Sequence, residues 1–256
     1  MSPYLRQTSI AGKVALITGG TKNLGGETAR ELASLGANVF LHYNSNPEGA
    51  KAFQTELKTS YPKVQVEIYQ GSLAKAEDLT KLFEAAKNAF PQGVDIAINN
   101  VGKAVKKPLV TVSEEEFDEL DSINHKVAFF FLKEAAKNVN DNGRIVSIVS
   151  SLLAAYIPNY SAYQGTKAGV EFYSRALSKE LQSRGITVNS VAPGPMDTPF
   201  LHKIEPKEVV GHLKSVALGG RLTEVPDIVP IVRFLVGEGA WITGQTIFAS
   251  GGFTTR

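Results

Sequence analysis

The stretch Val14-Ala-Leu-Ile-Thr-Gly-Gly-Thr-Lys-Asn-Leu-Gly-Gly26 decides the fold. Val14 to Thr18 is a short apolar run that reads as a buried strand. Leu24 to Leu35 then has helical spacing and stops at Gly36, a natural left-handed cap. A glycine turn between strand and helix lets backbone amides and the helix's positive end approach a pyrophosphate. Such turns can serve tight geometry alone. The place of this one after the first strand favours dinucleotide binding, with Gly19, Thr21, Lys22, Asn23, Leu24 and Gly25 as candidates.

Outward from that turn, two kinds of segment alternate. Strands are expected at Val39 to Tyr43, Val64 to Tyr69, Asp95 to Asn99, Arg144 to Val149, Thr187 to Ala192 and Gln245 to Ala249. Helices are expected at Pro47 to Ser60, Lys75 to Phe90, Ser113 towards Val139, Ser161 to Ser183 and near Asp227 to Leu235. Ser113 and Glu116 form a capping box, and Pro230 sits awkwardly early in the last helix. The alternation predicts an α/β fold with right-handed crossovers and a doubly wound, mainly parallel sheet flanked by helices. No linker, repeat or low-complexity tract interrupts it, so residues 1–256 read as a single domain behind a short tail, 1–11.

Composition narrows the partners. A net charge of +2, with 20% charged residues and no basic stripe, argues against nucleic acid and anionic membrane surfaces. No run approaches a membrane span, and no signal core precedes the first strand. The absence of cysteine excludes disulfides and thiolate chemistry and suits a reducing cytosol, so a cytoplasmic protein is the expectation. His42, His125, His202 and His212 show no ligand spacing, and no metal site is expected. The six acids between Glu114 and Asp121 suit a helix start.

The second informative stretch is Ser147 to Val170, SIVSSLLAAYIPNYSAYQGTKAGV. On a helix, Tyr163 and Lys167 share a face. A neighbouring ammonium is expected to lower the phenol's pKa and ready it for proton exchange. An incidental i,i+4 surface pair is the ordinary alternative. Against it, Ser150 and Ser151 end a strand, where open α/β sheets place their ligands.

These motifs resemble the short-chain dehydrogenases/reductases of ordinary length over nearly the whole chain, Gly12 to Gly252. The family's TGxxxGxG matches Thr18 to Gly25, its NNAG matches Asn99-Asn-Val-Gly102, and its helical Asn matches Asn124. Its catalytic Ser matches Ser150, its YxxxK matches Tyr163 and Lys167, and its N-x-x-x-P-G matches Asn189, Pro193 and Gly194. The resemblance implies a Rossmann-type fold with catalytic Ser150, Tyr163, Lys167 and Asn124. Tyr163 would exchange the proton and Lys167 would bind the nicotinamide ribose. Ser150 would hold the substrate oxygen, and Asn124 a water leading to solvent. Cofactor contacts are implied for Asn99, Val101, Gly102, Pro193, Gly194, the Met196 backbone and Thr198.

The departures are Asn23 at the middle glycine, Ser72 where an acid contacts adenine, Val101 in NNAG, and Ser250 before the last glycines. Asn tolerates left-handed backbone, Leu73 can still pack beside the ring, and Ser250 should be structural. The segment His42-Tyr-Asn-Ser-Asn46 has no acid at Tyr43, where selectivity for the unphosphorylated ribose is usual. Asn44, Ser45 and Lys22 can instead meet a 2′-phosphate, which favours NADP(H).

A lid over the substrate is implied at about residues 195–219, with Phe200 to Gly219 at its centre. Leu152, Leu153, Tyr156 and Pro195 suggest an apolar pocket. The apolar run Phe129-Phe-Phe-Leu132 should be buried against sheet and partner, in a homo-oligomer, tetramer or dimer. Together these readings imply NADPH-dependent reduction of a small-molecule carbonyl substrate, resembling naphthol and 3-ketoacyl reductases. A sugar or polyol alcohol dehydrogenase and a non-catalytic NADP-binding redox sensor are the alternatives.

Overall fold

The computed structural model describes residues 9–256. Of the tail expected over 1–11, residues 1–8 lie outside the described residues, while Ile10 is already buried in the core. The elements follow in the order β1 (Val14–Ile17), α1 (Asn23–Ser34), β2 (Asn38–Tyr43), α2 (Pro47–Ser60), β3 (Val66–Gln70), α3 (Ala76–Ala89) and β4 (Val94–Asn99). Next come α4 (Glu114–Asp121), α5 (Val127–Asn138), β5 (Val139–Ile148), α6 (Leu152–Ala155), α7 (Ser161–Glu180) and β6 (Thr187–Pro193). The chain closes with α8 (Pro199–His202), α9 (Lys207–Ser215), α10 (Val225–Val236) and β7 (Thr246–Ala249).

Among the described residues seven strands form one parallel sheet, in the order β3-β2-β1-β4-β5-β6-β7. The order reverses direction between β1 and β4, which opens a crevice at their carboxyl ends. Two-residue alternation divides β1: Ala15 and Ile17 join the layer of α1, α2 and α10, and Val14 and Leu16 join that of α3, α5 and α7. Both faces are covered, so β1 is apolar throughout.

Three elements differ from the expectation, each for a local reason. The long helix from Ser113 is broken by a π turn at Ser122–Lys126, which turns Asn124 inward between α4 and α5. Strand β5 starts at Val139 rather than Arg144, because Val139 already pairs with Val94 before a register shift. Helix α10 starts at Val225: Pro226 occupies the first turn, and Asp227 completes a capping box with Glu224. Pro230 is then inside the helix, in its second turn.

The α3/α5 layer rests on large rings. Phe131 is fully buried, 5.4 Å from Phe83. Phe131→Ala should cost about 3–5 kcal/mol, read as a lowered urea midpoint with an unchanged slope.

Candidate functional site

The glycine turn follows from close packing. A Cβ on Gly25 would lie 2.2 Å from the Gly19 carbonyl oxygen, so no other residue fits there without moving backbone. Asn23 has φ +48, the left-handed conformation that asparagine tolerates. Lys22 caps α1 with extended backbone and no side-chain bond, and no acid stands in the first turn. The helix's first amides and positive end are therefore left for an anion.

Two side chains brace this turn. Asn100 donates to the Thr18 and Gly19 carbonyls at 3.0 and 3.3 Å, and the Thr18 hydroxyl accepts from the Asn100 and Val101 amides. His42, buried in β2, bridges the Gly19 amide and the Gly71 carbonyl. A carbonyl only accepts, so Nε2 carries the proton and Nδ1 receives the Gly19 N–H. Burial holds His42 below its ordinary pKa, partly offset by the Gly71 bond, which keeps this tautomer neutral.

On the neighbouring strands, β5 delivers Ser150 and α7 delivers Tyr163 and Lys167. The Tyr163 hydroxyl is hydrogen-bonded to Ser150, and Lys167 Nζ donates to the Ile148 carbonyl at 3.0 Å. Asn124 is held by three bonds: its Nδ2 donates to the Lys103 carbonyl at 2.7 Å and to Thr166 Oγ1 at 3.1 Å, and its Oδ1 accepts the Lys103 amide. A Cβ on Gly102 would meet Lys167 Nζ at 3.0 Å and Asn124 Oδ1 at 3.3 Å, so the three residues form one wall.

The expected acidification of Tyr163 is not what the structure gives. Burial pushes the phenol up to about 12, against the opposing Ser150 hydrogen bond, and pushes the Lys167 ammonium down to about 8. Desolvation disfavours both charged forms.

The other candidates divide by position. Asn99, Val101, Pro193 and Gly194 line the same edge, and Asn99 Oδ1 is buried without a partner. Thr198 caps α8, and Met196 bridges to Thr223. Asn44 and Ser45 are exposed at the end of β2, whereas Tyr43 is buried with its hydroxyl 3.4 Å from Gln70. Ser72 is exposed and accepts the Ala74 amide, and Leu73 is core. Ser250 is structural, bonded to Thr254.

Of the expected pocket walls, Leu152 packs beside Tyr163 with Val105, Ile157 and Ile204. Two others do not form wall. Leu153 packs into a core cluster with Val149 and Val170, and Tyr156, left-handed at φ +47, is 77% exposed. A cavity of about 700 Å³ between Lys13, Asp95, Arg144 and Trp241 lies at the opposite, amino ends of the strands, away from these groups.

The family model described as enoyl-(acyl carrier protein) reductase matches residues 19–254. A short-chain type dehydrogenase/reductase of Picea abies is 37% identical over 95% of this chain and 93% of its own. The chain is a short-chain dehydrogenase/reductase. A chloroplastic NADPH-dependent aldehyde reductase-like protein of Arabidopsis thaliana is 34% identical over 95% of both chains. A crystal structure of a Burkholderia cenocepacia putative dehydrogenase with bound NADP superposes with TM-score 0.94 at 45% identity, covering 98% of this chain and 97% of that one.

In this short-chain dehydrogenase/reductase, sequence reasoning missed His42 and Asn100. The doubled asparagine of Asn99-Asn100 was a usable signal. A histidine inside an otherwise apolar strand was a second.

The buried Lys167 also sets a pH dependence. Its folded pKa, about 8 against 10.5, means the unfolded chain binds more protons between those values, so stability rises with pH across that window. Relative to wild type, Lys167→Met should be more stable at pH 7 than at pH 10, by up to about 3 kcal/mol. Urea midpoints at the two pH values measure the difference, and equal differences would refute the desolvated ammonium.

Proposed function

We propose that this protein reduces a ketone or aldehyde to an alcohol with NADPH, with Tyr163 as proton donor. The observation that carries the reading is the Tyr163 phenol. It is buried and hydrogen-bonded to Ser150, stays protonated at neutral pH, and shares α7 with Lys167. A protonated phenol can give its proton to a carbonyl oxygen as hydride arrives at the carbon. The NADPH-dependent relative and the NADP-bound structural neighbour support the cofactor.

The residues present fit NADP(H). The close-packed Gly19/Gly25 turn and the uncapped first turn of α1 suit the pyrophosphate, and the exposed Asn44, Ser45 and Lys22 can each donate to a 2′-phosphate. Asn99 to Gly102, Pro193, Gly194, Met196 and Thr198 would hold the nicotinamide end, with Lys167 on its ribose. When bound, the cofactor supplies the hydride that reaches the carbonyl carbon. Ser150 orients the carbonyl oxygen, and the Tyr163 Oη proton neutralises the alkoxide as it forms. Leu152, Val105, Ile157 and Ile204 exclude water and select an apolar substrate. Assembly with further copies belongs to the same reading, supported by Phe129 on α5 and Phe172 on α7, 44% and 61% exposed.

NADPH oxidation across apolar ketones, keto esters, aldehydes and one enoyl thioester tests the reading. Tyr163→Phe should lower kcat by about 10²–10⁴-fold while NADPH still binds. An equally active mutant would remove Tyr163 from proton transfer. Retained NADPH binding with no carbonyl turnover would favour a sensor, and faster polyol oxidation a polyol dehydrogenase. Asn44→Asp should move the NADPH/NADH preference towards NADH by about ten-fold, since a carboxylate repels a 2′-phosphate. Parallel KM measurements with the two cofactors read the change.

A further inference from the structure

A buried carboxylate stands one ring away from Tyr163. Glu205 lies in the lid segment between α8 and α9, its side chain only 3% exposed. Both its oxygens are engaged: Oε1 accepts the Tyr160 hydroxyl at 2.5 Å, and Oε2 receives Lys106 Nζ at 2.5 Å. Lys106 belongs to the loop after β4 and also lies 5.8 Å over the Tyr160 ring. Tyr160, at the start of α7, packs edge-on against Tyr163 with ring centroids 6.1 Å apart. A backbone bond of 2.7 Å from the Lys107 amide to the Asn159 carbonyl joins the two loops beneath. One lid carboxylate thus ties together the lid, the loop after β4 and the helix that carries the proton donor.

Charge gives the knot its consequence. Ala104, Val105, Leu152, Ile157 and Ile204 are among the apolar side chains packed around Tyr160 and Tyr163. Besides Lys167, whose ammonium is turned to the Ile148 carbonyl, the wall carries Lys106, its side chain 21% exposed, and Glu205 pairs with it. An anionic substrate reaching Tyr163 would approach a buried carboxylate, and could draw on Lys106 only in competition with Glu205. Breaking such a pair leaves one charge buried without a partner, which is strongly unfavourable.

We propose that Glu205 is a specificity-determining and positioning residue: it closes the lid onto Tyr160 and Lys106 and, by cancelling the Lys106 charge, confines the site to uncharged carbonyl compounds. The proposal rests on carbonyl reduction at Tyr163 and deepens it by naming the substrate class. Glu205→Gln keeps the shape and an acceptor for Tyr160, but releases the Lys106 charge.

Two measurements on the full-length protein decide it. In the first, kcat/KM is compared for a 3-keto ester and its free keto acid. Wild type should prefer the ester, Glu205→Gln should shift the ratio towards the acid by about ten-fold, and Glu205→Gln/Lys106→Met should return it. In the second, hydrogen exchange at 199–215 is followed without substrate. It should rise in Glu205→Gln while exchange in β1 and β4 stays at wild-type levels. A ratio unmoved in an active variant overturns the assignment, as does an acid gain that survives loss of Lys106. Unchanged lid exchange also overturns it, and so does exchange rising everywhere, which marks Glu205 as merely structural. A wild type that reduces no carbonyl sinks the catalytic reading instead, and with it the specificity role, while the exchange arm still decides the clamp.

Discussion

The site depends on keeping water from a phenol and an ammonium four residues apart on one helix. Solvation would let Lys167 stay fully charged and Tyr163 titrate near its ordinary value. Burial raises one and lowers the other. The fold can hold such a pair because α7 lies against a sheet covered on both faces, and because the Ile148 carbonyl accepts a hydrogen bond from the lysine. The cost is carried by the large apolar layers around the strands. Catalytic arrangement and stability therefore pull in opposite directions at Lys167.

Around that pair, the recognition surfaces come from strand ends rather than from any one motif. Glycine turn, asparagine loop and Ser150 stand on β1, β4 and β5, adjacent strands in the sheet but far apart in sequence. Parallel pairing brings their carboxyl ends to one edge. Side-chain braces fix their heights: Asn100 ties the β4 loop to the β1 turn, and His42 ties that turn to the end of β3. The polar atoms of these loops are largely satisfied by one another, so the edge is preorganised before any ligand arrives.

Much of this was legible in the residues. Alternating strand and helix patterns gave the sheet and its direction, because buried parallel strands are apolar runs and amphipathic helices keep their period. The capping box at Ser113 and the left-handed Asn23 were read from side-chain chemistry and are present. What escaped depended on three-dimensional surroundings. The sign of the Tyr163 shift follows from the depth of burial, which spacing does not reveal. Tyr156 and Leu153 are neighbours of Leu152 in sequence, yet a left-handed residue and a short helix send them to solvent and to core. The roles of His42 and Glu205 depend on contacts across 29 and 45 to 99 positions, which no local pattern encodes.

The π turn at Ser122–Lys126 makes the chain's length count there. Each residue in a helix advances the side chains by about 100°. The wide turn accommodates an extra residue before α5 emerges, with Phe131 and Leu132 facing the sheet and Phe129 facing out. Removing one residue from the segment would relax it to ordinary helix and leave the register of α5 in place, but it would take away the widened turn that brings Asn124 to Lys103. The local cost of such a deletion would fall on the Asn124 wall, and the apolar packing of α5 would be spared.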